Sequence, residues 1–238
     1  MKSSSLQRVD IITLFPQMFA GPLSESLIGK ARERGLVDLR IVNLRDFSAD
    51  EKHKTVDDRP YGGGAGMVIQ AEPVYQALKS VGAATKRKSK TRPYVIYLSP
   101  QGKKLTQQLA GDLVKRPRLV LLCGHYEGID ERVMDFVDVE VSVGDVVLTG
   151  GELPAMVVAD AVIRLIPGVV KEAESIAQDS FQAGLLDYPH YTRPAKWRGR
   201  TVPDVLLSGN HKNIREWRMK RAREVTLRKR PDLLTRSH

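Results

Sequence analysis

One cysteine in 238 residues, Cys123, leaves no partner for an intrachain disulfide and too few thiols for a cysteine-rich zinc site. It closes an apolar run and reads as a core residue. The five histidines form no H-E-x-x-H or closely spaced His pair, and prolines and loops separate His190 from His211. The residues alone therefore nominate no metal ligands. No G-x-S-x-G occurs, which removes the usual basis for Ser/His/Asp hydrolysis. A phosphate loop of the form G-x-x-x-x-G-K-[ST] is also missing. No apolar run approaches the roughly eighteen residues that a membrane helix needs, and the first residues lack a signal-peptide apolar block. The expectation is a cytoplasmic protein with no membrane partner. No internal repeat is visible.

What the chain has is charge in one place. Its formal net charge is +10, and residues 195–238 hold thirteen Lys/Arg against four Asp/Glu. The rest of the chain is nearly balanced. A basic segment so concentrated is the footprint of a polyanion partner, although a solvated helix face would look the same. A second basic cluster, Lys86 to Arg92, reads as a mobile surface loop.

Hydrophobic residues make up 42% of the chain and alternate in the manner of an α/β protein. Strands are predicted over residues 9–15, 37–44, 94–98, 119–123 and 137–143. Helical patterns follow Pro16 and run from about Glu72, from Lys103 to Lys115 and from Leu153 to Ile166. The expected fold is a mostly parallel sheet flanked by helices, with a smaller all-helical C-terminal domain. Residues 1–168 form the first domain, 169–183 a flexible connection with little apolar period, and 184–238 the second. In the last segment Ile214, Trp217, Ala222 and Val225 share one helix face, with Arg215, Arg218, Arg221 and Arg228 flanking it.

Three Gly/Pro-bearing loops follow predicted strands. Ser99-Pro100-Gln101-Gly102 follows the run ending Tyr97-Leu98, Gly124 to Arg132 follows Cys123, and Gly144 to Pro154 follows Ser142-Val143. Loops at the carboxyl ends of parallel strands form one ligand crevice in such sheets. Glycine there lets a planar ring approach the main chain closely, at Gly144 and Gly150 in particular. A tight turn and a helix start would require the same residues. Gly62-Gly63-Gly64-Ala65-Gly66 lacks the spacing and the preceding strand of a dinucleotide fingerprint.

Five stretches, taken together and in this order, resemble the bacterial tRNA (guanine-N1)-methyltransferases, knotted methyltransferases of the SPOUT type. They are Lys52 to Gly64, Tyr97 to Gly102, Gly124 to Val133, Ser142 to Met156, and Asp179 to Phe181 with Tyr188 to Pro194. The resemblance implies a trefoil knot in the α/β domain and a homodimer. It implies methyl transfer from S-adenosylmethionine to N1 of the guanosine at tRNA position 37. The cofactor contacts it implies are Tyr97, Leu98, Ser99, Pro100, Gly124, Tyr126, Gly128, Ser142, Val143, Gly144, Asp145, Val146, Val147, Leu148, Gly150, Gly151 and Pro154. Asp179 is implied as the general base and Arg164 as the cation facing guanine O6. Glu127 would orient the methionyl end or a magnesium ion. The chain departs from the pattern at Ala65, where many members carry proline, and at Val141 and Val146, where aromatic residues are common. Adenine recognition is then expected to lean on main-chain hydrogen bonds. Two other readings stay open: a related knotted enzyme methylating a ribose hydroxyl or another base, and a tRNA-binding protein without catalysis. Cofactor binding separates the last from the others, since phosphate contacts alone give salt-sensitive RNA binding.

Overall fold

Alternating apolar runs in the first unit become strands that share a single sheet. The structure is a computed structural model and describes residues 6–85, 92–171, 179–181 and 184–235. In chain order the strands are β1 (Arg8–Thr13), β2 (Asp38–Asn43), β3 (Asp57–Asp58), β4 (Val68–Ile69), β5 (Tyr94–Lys104), β6 (Arg118–Cys123) and β7 (Val139–Ser142). Strands β1, β2, β5, β6 and β7 make a five-stranded parallel sheet in the order β2-β1-β6-β5-β7, and β3 pairs with β4 antiparallel. Parallel strands need crossovers: α1 (Ser26–Glu33), α2 (Ala71–Ser80) and α3 (Gln107–Leu113) supply three, a 3-10 helix (Glu131–Phe136) lies between β6 and β7, and α4 (Glu152–Ile163) follows the last strand.

Period-two alternation sorts the strand residues onto two faces. Val9, Ile11, Ile96, Leu98, Leu119, Leu121 and Val141 point into a core with Ile28 and Ala31 of α1, Ala110 of α3 and Val158 of α4. Ile12, Val95, Tyr97, Val120 and Leu122 point into the other, against Val74, Ala77 and Leu78 of α2. Both faces are therefore covered, as an all-parallel sheet requires.

Several predicted boundaries move, each for a local reason. The Ser99–Gly102 loop is not a loop in backbone terms, because β5 continues extended to Lys104 after a register shift between Leu98 and Lys103. Gly102 permits this: a Cβ there would lie 2.4 Å from the Val141 main-chain nitrogen. Helix α3 starts at Gln107 rather than Lys103, because Thr106 caps it with its hydroxyl accepting from Leu109 N at 3.1 Å. The region after Pro16 is a short 3-10 turn, Pro16–Phe19, and α1 begins only at Ser26. Arg92 does not belong to a surface loop. Its guanidinium is buried against the Asp138 carboxylate at 3.0 Å, and that carboxylate also accepts from Val95 N at 2.8 Å, which pins the start of β5. Residues 86–91 of the same basic cluster lie outside the described residues.

The chain divides into two compact units, Met1–Lys171 and Glu172–His238. Val169, placed in the connection from sequence, is buried in the first unit's core. The flexible stretch expected over 169–183 otherwise falls largely outside the described residues, but Ser180 and Phe181 are held. Ser180 Oγ accepts from Asp187 N at 3.0 Å, and Phe181 N donates to Leu185 O at 2.7 Å.

The second unit is not all-helical. Strands β8 (Lys196–Trp197) and β9 (Arg200–Thr201) form a hairpin. Its two-residue turn, Arg198-Gly199, has positive φ at both positions, the backbone a tight hairpin demands. Helices α5 (Asp204–Leu207) and α6 (His211–Lys229) follow. Asn210 caps α6 by accepting from Lys212 N and Asn213 N, both at 3.2 Å. Ala222 and Thr226 are the buried residues of α6, and Ile214, Trp217, Arg218 and Val225 are half-buried. The inward face therefore includes Arg218, which the pattern had placed on the flank.

Candidate active site

The carboxyl ends of β5, β6 and β7 open into a pocket of about 360 Å³, toward the small end of ligand sites (roughly 300–1,000 Å³). Three loops build it. The first is the β5 continuation with Ser99, Pro100 and Gln101. The second is Gly124 to Glu131, and the third runs from Ser142 to Pro154. All the cofactor residues nominated from sequence line it except Gly144 and Asp145, and Glu127 lines it too.

Each loop is fixed by its own chemistry. In the second loop Tyr126 takes a positive φ of 57° and Gly128 one of 132°. Glu127 N donates to Met67 O at 3.1 Å and Asp130 N to Ile69 O at 2.9 Å, which ties the loop to β4. Gly66 packs so closely beneath Glu127 that a Cβ would lie 2.4 Å from its Oε1. Of the glycine segment, a Cβ on Gly62, Gly63 or Gly64 would meet nothing within 4 Å, and Gly66 alone packs under the Glu127 side chain. Gly124 has a comparable role, since a Cβ there would meet the Tyr97 hydroxyl at 2.8 Å. Burial, and next the Glu140 carboxylate, raise the Tyr97 phenol above its usual pKa against the Ile129 main-chain hydrogen bond, so the ring stays neutral.

In the third loop Ser142 Oγ donates to Gly144 O at 2.9 Å and accepts from Gly144 N at 3.2 Å. Gly144 has φ of +149°, and a Cβ there would meet nothing within 4 Å. Asp145 points away to Lys104, 2.6 Å from its ammonium, which is why it does not line the pocket. Gly150 and Gly151 return the chain to β6. Gly151 N donates to Gly124 O at 2.8 Å, and Gly150 bridges His125. A Cβ on Gly151 would lie 2.7 Å from Cys123 Cα, and one on Gly150 would lie 2.2 Å from His125 Nε2. A side chain at Gly150 would therefore have to displace the His125 ring and the Glu152 carboxylate.

A buried polar cluster lies beneath that closure, and the sequence pattern missed it. Glu152 is 1% exposed; its Oε1 accepts from the Thr13 hydroxyl at 2.7 Å, and its Oε2 lies 3.2 Å from His125 Nε2. Thr13 Oγ1 also accepts from Phe15 N at 2.9 Å, and the Phe15 ring packs at a tilt of 53° against His125 with centroids 4.8 Å apart. A Thr–Glu–His chain joins the ends of β1 and β6 to the first turn of α4. From sequence Glu152 reads only as an acid at a helix start, and Thr13 is 139 positions away, so no spacing could pair them. The same carboxylate, after burial itself, raises the Cys123 thiol well above its usual range and keeps it inert, in agreement with a core role.

Glu152→Ala removes the acceptor of the buried Thr13 hydroxyl and the partner of the His125 ring. The expected cost is roughly 1–3 kcal/mol, a fall in thermal midpoint of roughly 2–12 °C. Glu152→Gln keeps an acceptor for Thr13 and should lose less than half of that. Calorimetry on the two variants checks the order, and an Ala variant as stable as wild type would remove the cluster from the account.

The remaining site residues stand elsewhere. Arg164 is the C-cap residue of α4, its N–H donating to Asp160 O at 3.2 Å. Asp179 belongs to the second unit. Among the described residues no three His, Cys, Asp or Glu side chains come together to hold a metal, so Glu127 is not part of such a group. No described helix is long and apolar enough to cross a membrane.

The electrostatics of the lining narrow the ligand. Glu127, Glu131 and Glu140 line the pocket, and no lysine or arginine does among the described residues. That set disfavours a phosphate and favours a ligand carrying positive charge beside a flat, partly apolar body.

The sequence profile of the tRNA (guanine-1)-methyltransferase family, TrmD, matches residues 7–236. A tRNA (guanine-N(1)-)-methyltransferase of Endomicrobium trichonymphae is 53% identical over 231 residues, covering 95% of this chain and 99% of that protein. The proteins of the same name in Geobacillus kaustophilus and Pelotomaculum thermopropionicum are 54% and 55% identical. Each covers 95% of this chain, with 91% and 89% of their own lengths matched.

Proposed function

The chain belongs to the tRNA (guanine-1)-methyltransferase family, and on that premise we propose that it methylates N1 of a guanosine in tRNA. The methyl donor in this reading is S-adenosylmethionine and the target is position 37, just 3′ of the anticodon. The observation that carries it is the convergence of three loops on one pocket at the ends of β5, β6 and β7, lined by acids and, among the described residues, by no lysine. S-adenosylmethionine bears a sulfonium and an ammonium, and it supplies an electrophilic methyl group when bound. Glu127 suits its cationic end, while Leu98, Val143, Leu148 and Pro154 suit its ring. Main-chain groups of Val146 to Leu148 read the adenine edge in place of aromatic walls, since Val141 and Val146 stand there.

The protein's own chemistry is proton removal and charge stabilisation. Guanine N1–H is far less acidic than a carboxylic acid, so a carboxylate removes it only if charge developing on O6 is stabilised at the same time. Asp179 takes the proton in this reading and Arg164 faces O6, its planar guanidinium suited to a delocalised oxyanion. The basic second unit holds the tRNA backbone.

Two further parts of the reading concern architecture. A trefoil knot fits a chain that leaves edge strand β7, returns to Gly124 at the end of β6 and enters α4 there. A homodimer fits the composition of α4, which is apolar on both sides. Ala155, Val158 and Val162 are buried in the core, while Leu153 and Val157 on the other side are about half exposed, as are Phe15 and Met18 nearby. A helix apolar all round is stable in water when both sides are covered.

Incubating the protein with S-adenosylmethionine and unmodified tRNA should place one methyl group on guanine at position 37, located by nuclease digestion and mass spectrometry. A methyl group on a ribose, on another base, or none at all would overturn the reading.

A further inference from the structure

We propose that the second unit contains a subsite for one unstacked nucleobase of the RNA, formed by Tyr191, Trp217 and Arg218. It rests on the tRNA reading above and adds a base-reading element to a unit otherwise assigned only backbone contacts.

A pocket of about 560 Å³ opens between the Tyr188–Arg193 segment, α5 and α6, wholly within the second unit. Its walls combine rings, among them Tyr188, Tyr191 and Trp217, with the aliphatic Leu206, Leu207 and Ile214. Tyr191 and Trp217 are neighbours with centroids 6.3 Å apart and planes inclined at 58°, and Tyr191 is 49% exposed. Arg218 lies over the Tyr188 ring at 5.0 Å, and Arg221 lies over Trp217 at 5.7 Å. Rings that served only as packing in a small core would be covered. Here one is half in water and its neighbours carry stacked guanidinium groups.

Polarity decides the occupant. Among the described residues Arg193 and Arg218 line the pocket and no carboxylate does, so an acidic ligand is favoured over a cationic one. Arg218 Nε is buried and has no hydrogen-bond partner among the described residues, so the guanidinium is under-satisfied as it stands. Aromatic walls with arginines at the rim are the pattern by which single-stranded nucleic acid is held, bases stacked on rings and phosphates on cations. Duplex RNA keeps its bases stacked inside and offers none to such a pocket. The ligand class is therefore a loop or single-stranded nucleotide.

The test uses the full chain with Trp197→Phe, which leaves Trp217 as the sole tryptophan. A short single-stranded oligoribonucleotide should quench Trp217 fluorescence, and a duplex of the same length should not. Tyr191→Ala should weaken binding of the single strand and of tRNA by roughly 5- to 150-fold, the range for loss of one base–aromatic stack. The dependence of affinity on salt should keep the wild-type slope, since no phosphate contact is removed. Tyr191→Phe should restore affinity, because stacking does not need the hydroxyl. Unchanged binding by Tyr191→Ala, equal quenching by duplex, or a Phe variant as weak as Ala would each overturn the subsite. If wild type binds tRNA and methylates it while Tyr191→Ala does so equally well, the subsite fails and the methyltransferase reading stands. If the single strand quenches but no methyl transfer occurs, the reading of the activity fails and the subsite stands.

Discussion

Asp179→Asn is expected to lower methyl transfer by at least about a hundredfold, the scale of a lost general base, with cofactor and tRNA binding near wild type. The substitution keeps the size and the hydrogen-bonding shape of the side chain but removes its capacity to accept the N1 proton. Its neighbours should hold their places. Ser180 Oγ stays bonded to Asp187 N and Phe181 N to Leu185 O, and neither bond involves the carboxylate. The loss should therefore appear in the single-turnover rate constant and not in KM. It should shrink as pH rises toward the range in which guanine N1 loses its proton unaided, because a pre-formed guanine anion needs no general base. A single-turnover rate within a few-fold of wild type would remove Asp179 from the mechanism. A defect confined to tRNA affinity would make it a binding residue.

The sheet and the pocket walls were legible in the sequence because their signals are local. Strands such as Leu119–Cys123 are continuous apolar runs, and glycines in the loops after them mark where the backbone closes in. What local signals cannot carry is pairing across the sheet. Glu152, His125 and Thr13 lie on three separate elements, and only the fold brings them within hydrogen-bonding distance. The same limit blurred the roles of the glycines. Gly144 and Gly150 look alike in sequence, yet Gly144 borders open space while Gly150 is pressed against His125 and Glu152. A bulky residue at Gly150 therefore disturbs the buried cluster first, whereas at Gly144 it acts on the loop backbone, whose φ of +149° suits only glycine. The hairpin before α5 was missed for another reason. Its strands are two residues long, too short for alternation to register, and only the Arg198-Gly199 turn could have announced it. Arg218 was misplaced because helical periodicity assigns charge outward by default, while its guanidinium lies over the Tyr188 ring.

Mixing two inactive variants, Gly144→Val and Asp179→Asn, should restore methyl transfer if the active site is shared between two copies of the chain. The basis is the proposed homodimer, in which the base of one protomer meets the cofactor pocket of its partner. Valine at Gly144 faces a backbone angle that L-residues rarely adopt, so the third loop should lose its cofactor-binding shape. The sheet and the Thr13–Glu152–His125 cluster do not touch that position, and the variant should stay folded. Each homodimer is then dead, one for lack of cofactor and the other for lack of a base. A mixed dimer has one site with both defects and one with neither. Random exchange makes half the dimers mixed with half their sites intact, so activity should return to about a quarter of the wild-type rate under two-fold symmetry. The exposed Leu153 and Val157 side of α4 is the surface expected to be buried in those dimers, and Leu153→Glu should block both the dimer and the rescue. Native mass spectrometry reads the mixing independently of activity. Mixed dimers that remain inactive would mean that each chain supplies its own base, and the shared site would have to be given up even with the dimer intact.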